Sequence, residues 1–338
     1  MSVVALGGAG LYAQWAERRE ARLTELVTRV GSRAAELEQA LALIHSQVEG
    51  VAASSRVLLT HAEALPEREV LAPSVFESNA APPDTAYSTS YDRLISTQWP
   101  DIVIAPGVDR AVAVDQARRL VPVRHAMRRA HMTTRQSLGD LDPVAAEAAW
   151  RNDPGPIRWA IVGTPEGLYL EMPGAAWNVT GFDGRLRPWY TLATEPRPIW
   201  SRPYQEASTG TLLVACSMQI PSDDDGMLGV ASLSVSFTYL ADRYLHLDHP
   251  AVEETYLVDD QARIMLRSEL VAPDDRPDRL EDVYDTPPFP DPALQPALGA
   301  SAGMVQGDDG SLLLHYPLRN GWWYVARVDP ALAVSTAP

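Results

Sequence analysis

From about Trp15 to Leu59 apolar residues recur in alternating steps of three and four: Leu23, Leu26, Val30, Ala34, Leu37, Leu41, Ile44, Val48 and Val51. That spacing holds one stripe on one face of a helix for about four heptads. No proline interrupts it, and Arg18, Arg19, Glu25, Arg29, Arg33, Glu36 and Glu38 fill the other faces. The stripe alone admits packing along the chain's own domain, a seam between two copies, or a rod leading away from a membrane. Residues 66–100 break the pattern with Pro66, Pro73, Pro82, Pro83 and Pro100, and read as loop with short helical pieces. A second helical stretch is predicted over Val108–Arg135, where Arg118, Arg119, Arg124, Arg128 and Arg129 surround Leu120, Val123 and Met127. Five arginines in that setting read as the wet face of an amphipathic helix.

Beyond Pro156 the period shortens to that of strands. Ile157–Gly163 and Leu168–Met172 flank the turn Thr164–Gly167 as a hairpin. Thr211–Ile220 and Met227–Phe237 make a second pair around the acidic turn Pro221–Gly226. Its three consecutive Asp lack the EF-hand spacing and terminal Glu, so the turn reads as a solvated hairpin tip. Thr238–Leu247 reads as a short helix. Thr255–Val258 and Arg263–Leu266 form a third hairpin, residues 271–298 a proline-rich surface loop, and Gly303–Gln306, Leu312–Pro317 and Trp322–Val328 three closing strands. The predicted fold class is α+β: a long helix, a larger module with antiparallel strands, then a smaller module of the same kind.

At 338 residues the chain is long enough for two domains. Its net charge of -16, from 44 acids and 28 bases, argues against nucleic acid or an anionic membrane as a partner, since both are polyanions. Every base is Arg; with no Lys in the chain, Schiff-base and P-loop lysine chemistry are excluded. The lone Cys216 excludes an intramolecular disulfide and any multi-cysteine metal site, and within its apolar run it reads as a small buried hydrophobe. No stretch approaches the ~20 apolar residues of a membrane span. The apolar Met1–Tyr12 is short and lacks a basic flank and a cleavage site. The chain is therefore either cytoplasmic or the soluble piece of a longer protein whose membrane segments lie outside it.

The densest concentration of specific side chains is Gly181–Tyr190 (GFDGRLRPWY) followed by Ile199–Tyr204 (IWSRPY). Pro188 suits the first turn of a helix. Arg187, Trp189, Tyr190, Trp200 and Tyr204 offer a planar guanidinium for a carboxylate or phosphate, aromatic walls for an apolar body, and phenol hydroxyls for orientation. A structural aromatic cluster with Arg187 in a salt bridge has the same composition.

These motifs resemble a known family. R-x-W-Y after F-D, then W-S-x-P-Y, an apolar strand and a G-V strand are similar to the membrane-distal module of bacterial double Cache sensor domains. Thr255–Ile264 (TYLVDDQARI) and Gly321–Val328 (GWWYVARV) resemble strands of the membrane-proximal module, and the long opening helix fits the family's start. The resemblance covers nearly the whole chain and is weakest across 66–150. It implies an extracytoplasmic, non-enzymatic, ligand-binding domain of a membrane receptor, divided as a helix (1–65), a distal module (66–250), a smaller proximal module (251–332) and a tail (333–338). Each module is PAS-like with a central antiparallel sheet, and an output domain of kinase, cyclase, phosphatase or chemotaxis type follows on the full-length chain. It also implies a small-molecule ligand held by Arg187, Trp189, Tyr190 and Tyr204, a homodimer through the helix, and no cofactor.

Two positions depart from the family's amino-acid-sensing pattern. Phe182 stands where a Tyr is expected, and Ser234 where an Asp would take the ligand's amine. Losing a charge-assisted bond costs roughly 1.5–3 kcal/mol, so the surviving residues fit a carboxylate-bearing molecule without an amine, or some other small polar compound, better than an α-amino acid. Asp183 is a candidate compensating anion, and Trp200 a further wall. Rival readings are a freestanding binding module and a hydrolase. The chain lacks G-x-S-x-G, H-E-x-x-H, a P-loop and an EF-hand loop. Its seven histidines are scattered, and the adjacent pair His246 and His249 reads as capping rather than metal binding.

Overall fold

The computed structural model describes residues 4–61, 70–135, 141–153, 155–177, 180–224, 226–269, 283–299 and 301–333, with the backbone alone for 4–16. The expected tail beyond Ala333, residues 271–282 of the proline-rich loop 271–298 and Asp225 of the acidic tip lie outside them. The chain forms two units: residues 1–39, 241–272 and 286–338 make the first, and 40–240 with 273–285 the second.

Helix α1 runs over Val4–His61 and belongs to both. Leu26, Val30, Ala34, Leu37, Leu41, Ile44, Val48 and Val51 are all buried, so the stripe is covered by the chain itself. That coverage leaves only other faces of α1 for a second copy.

In the second unit, β1 (Ala86–Ser88) and β2 (Arg93–Ser96), both within the segment expected to be loop, make a small sheet with the later β6 (Gly174–Ala175). Strand β3 (Asp101–Ile104) follows. The predicted second helix divides into α2 (Arg110–Leu120) and α3 (Arg124–Thr133). Pro122 lies in the 3-10 turn between them, because a proline inside a helix removes a hydrogen bond and crowds the preceding turn. Asp109 caps α2 through Ala111 N at 2.9 Å. Helix α4 (Pro143–Asn152) starts on the Asp142 cap with proline at its first position.

Strands β4 (Ile157–Gly163) and β5 (Leu168–Met172) pair as the expected hairpin and are buried at every position. Gly167, at φ +84°, makes their turn and in that conformation needs glycine. The short α5 (Pro188–Thr191) leads to β7 (Ile199–Trp200) and β8 (Tyr204–Gln205). Then come the long strands β9 (Leu212–Pro221) and β10 (Met227–Ser236), and α6 (Phe237–Leu240). The main sheet is ordered β3-β5-β4-β10-β9-β7, antiparallel throughout.

The first unit carries β11 (Val252–Val258), β12 (Ile264–Arg267), β13 (Gly303–Gln306), β14 (Leu312–Pro317) and β15 (Trp323–Val328), ordered β12-β11-β15-β14-β13. Counted within each unit, that is second-first-fifth-fourth-third. The sequence β5-β4-β10-β9-β7 repeats it, with β3 added outside. The same five-stranded antiparallel topology thus occurs twice, and the fold is α+β with two PAS-like modules.

Candidate functional site

One face of the second unit's main sheet carries the chemistry. Residues paired across antiparallel strands share a face and alternate residues return to it. Glu171 pairs with Ile161 and Asp101, Ile161 with Ser232, and Ser234 with Trp159 and Ala215. The segment 181–190 folds over this face. Gly163 and Gly184 let it come close, because a Cβ at Gly163 would meet the Trp189 ring at 2.7 Å and one at Gly184 at 3.1 Å. Pro188 opens α5, as expected, and places Arg187 just before the helix in extended backbone.

Sheet and segment line a narrow hollow of about 20 Å³. Trp159, Tyr169, Trp177, Phe182, Trp189 and Tyr204 supply its aromatic wall, and Glu171, Glu206, Arg187 and Ser234 its polar groups. Arg187 is 4% exposed; its Nη2 donates to the Gln205 carbonyl and its guanidinium carbon lies 5.8 Å from the Tyr204 ring centre. The Tyr204 hydroxyl and Ser234 Oγ are 3.0 Å apart, and burial pushes the phenol far up. The Trp159 indole N–H is buried without a hydrogen-bond partner among the described residues. Phe182 packs edge-on against Tyr169 and Trp177, each at 5.0 Å.

The two carboxylates differ. Glu206 is consumed by its own loop: Oε1 accepts from Ser208 N at 2.9 Å and Ser208 Oγ at 2.6 Å, and Oε2 from Thr209 N at 2.7 Å and the Thr209 hydroxyl. Glu171 accepts from the Tyr169 hydroxyl through Oε2, and its Oε1 has no hydrogen bond among the described residues. Burial first, then the neighbouring Asp101 and Glu206, holds the Glu171 carboxyl well above the usual range. Asp101 is wholly buried; its Oδ2 accepts from Ala175 N and Trp177 Nε1, each at 3.0 Å. Desolvation pushes it up to about 7 against the opposing pull of those bonds and of Arg93.

Of the residues singled out from sequence, Arg187, Trp189, Tyr204, Phe182 and Ser234 come together around the cavity. Tyr190 does not line it; half-buried, it stands edge-on to Trp189 at 5.5 Å, on the outer side of the cluster. Trp200 is on the sheet's other face, since it pairs with Cys216 while its neighbour Ile199 pairs with Ser217. Its Nε1 donates to His45 Nε2 of α1 at 2.6 Å. Asp183 supplies no anion to the cavity, because Arg185 clasps it through Nε at 2.9 Å and Nη2 at 2.7 Å. Sequence reasoning missed Glu171, Asp101 and Glu206. The available signal was an acid inside LYLEM, a run of hydrophobes that is buried throughout. Among the described residues no three His, Cys, Asp or Glu side chains are grouped as metal ligands, and no helix is long and apolar enough to cross a membrane.

No protein-family model matches the chain, and no curated protein does. Among solved structures it is similar to ligand-binding domains of bacterial amino acid chemoreceptors of the double Cache type. The Pseudomonas aeruginosa PAO1 PctB domain in complex with L-Arg matches at 20% identity and TM-score 0.39, over 60% of this chain and 85% of that one. The Pseudomonas fluorescens CtaA domain in complex with L-leucine matches at 19% and 0.39, over 59% and 82%. The Pseudomonas aeruginosa PAO1 PctC domain in complex with GABA matches at 22% and 0.36, over 59% and 89%.

Proposed function

We propose that this chain is the extracytoplasmic ligand-binding region of a bacterial transmembrane signalling protein, and that its second unit takes a small polar molecule into the cavity over its main sheet. One observation carries the reading: an enclosed guanidinium, Arg187, shares an aromatic-walled hollow with the open carboxyl oxygen of Glu171. A merely structural core gains nothing from holding a desolvated guanidinium in one hollow with a carboxyl that burial keeps protonated. Arg187 and the unpartnered Trp159 N–H suit an acidic group of the ligand. Glu171 suits a basic one, so the absence of an acid at position 234 does not strip the cavity of a carboxylate. The ligand is therefore read as a small molecule bearing both groups.

Ligand binding shifts the population between two arrangements of the cavity wall, and α1, which runs through both units, carries the change toward an intracellular output domain. Dimerisation would use faces of α1 other than the buried stripe.

A thermal-shift screen of amino acids, carboxylates and amines tests the reading. A ligand at about 100 times its Kd adds ~2.7 kcal/mol of stability. A zwitterion should stabilise more than either half alone, Arg187→Ala should remove the response, and Glu171→Gln should weaken it for amine-bearing compounds only. A response that survives Arg187→Ala removes the cavity from the mechanism.

A further inference from the structure

The inner cavity, at about 20 Å³, holds about one water molecule, and the molecule proposed for it is several times larger. Close-packed walls do not stretch, so one of them must move. A second hollow of about 530 Å³ lies on the same unit, lined by Ala72, Ile102, Ile104, Arg110 and Val114 among others. Of the described residues that line either hollow, Trp177 alone lines both. It is also the one ring of the inner wall that is only half-buried; Trp159, Tyr169, Phe182, Trp189 and Tyr204 are buried. Among the described residues its Nε1 donates to Asp101 Oδ2, and its ring packs edge-on against Tyr169 and Phe182. The same Asp101 oxygen is anchored independently by Ala175 N. Trp177 can therefore leave while its anchor stays in place.

We infer that Trp177 is the movable partition between the outer groove and the inner cavity, that a ligand enters by this route, and that the Asp101 carboxylate is the latch. The inference rests on the proposed function for what passes through, and its test uses no ligand. Cys216 is buried on the other sheet face and is replaced by Ala, and Ser234→Cys places a single thiol in the cavity wall. Methyl methanethiosulfonate then reports how often the cavity opens. Modification should be slow with Trp177 intact and about tenfold faster with Trp177→Ala, because local opening governs access to a buried group. Trp177→Phe keeps the ring and loses the latch bond; it should fall between the two, and it carries the test if melting shows that the alanine variant does not fold. Ile104→Trp, which fills the groove, should slow modification. Rates that ignore both Trp177 variants overturn the partition, and a rate that ignores Ile104→Trp overturns the route. If the partition behaves as expected while no compound in the thermal screen binds, the functional reading fails and the door remains.

Discussion

Asp101 and Glu171 face each other across β3 and β5, both in the interior, with Glu206 in the same wall. Arg93 lowers both carboxyls, but desolvation is the larger influence on each. Asp101 is raised from 3.8 to about 7. Between about pH 4 and pH 7 the folded chain thus keeps protons that the unfolded chain releases, and stability falls as pH rises through that window. The slope is at most ~1.4 kcal/mol per unit for each retained proton, or about 3 kcal/mol from about pH 5 to pH 7. Asp101→Asn combined with Glu171→Gln removes both titrations while keeping shape. Urea denaturation at about pH 5, 6 and 7 should show the double variant gaining ~3–6 kcal/mol on the wild type as pH rises, up to about 3 for each carboxyl. Parallel profiles, or a wild type that gains on the variant, would mean that both acids are charged and paired in the fold, and would refute the reasoning.

His131 works in the opposite direction. Burial, helped by Arg135, pushes it down to about 3, so the unfolded chain takes up a proton below its ordinary 6.5 while the fold refuses one. Stability is lost as pH falls from about 6.5, and His131→Gln should flatten that acid limb in denaturant titrations. Tyr204→Phe leaves Ser234 Oγ without its partner at 3.0 Å and should cost ~1–2 kcal/mol in urea denaturation. Leu41, 1% exposed on α1, should cost ~2–5 kcal/mol when cut to alanine; a smaller loss by the same assay would mean the stripe is not a packed seam.

The hairpins were legible because their turns carry their own chemistry. A glycine at φ +84° closes β4–β5, and strand partners follow within a few residues of it. The stripe of α1 was legible as a buried face, though not its occupant, since period reports a face and not what covers it. Strands β1, β2 and β3 were not legible: they are 3, 4 and 4 residues long and lie among prolines that signal loop. The site divided in the same way. Arg187 and Trp189 sit in one contiguous motif, whereas Trp200 was misdirected because a strand reverses its side chain at each residue and the pleat cannot be phased from sequence. Glu171 escaped because β5, buried on both faces, shows no alternation against which an inward acid would stand out.

The repeated topology offers an internal comparison. On the first unit's sheet the core is Tyr256, Val258, Phe289, Leu294, Leu313, Trp323 and Val325, and Phe289 closes edge-on over Tyr256 at 4.9 Å. Its charged neighbours Arg267 and Arg327 form partly exposed ion pairs with Glu254 and Glu253, where water bears most of the desolvation. The second unit, on the same strand order, buries Asp101, Glu171 and Arg187 to 5% exposure or less. Backbone topology cannot account for that contrast, because the two units share it. Nor can stability, since desolvated charges usually cost more than the hydrocarbon they replace. What the second unit holds in place of hydrocarbon is the guanidinium and the carboxyl that line its cavity, which supports the ligand site proposed for it.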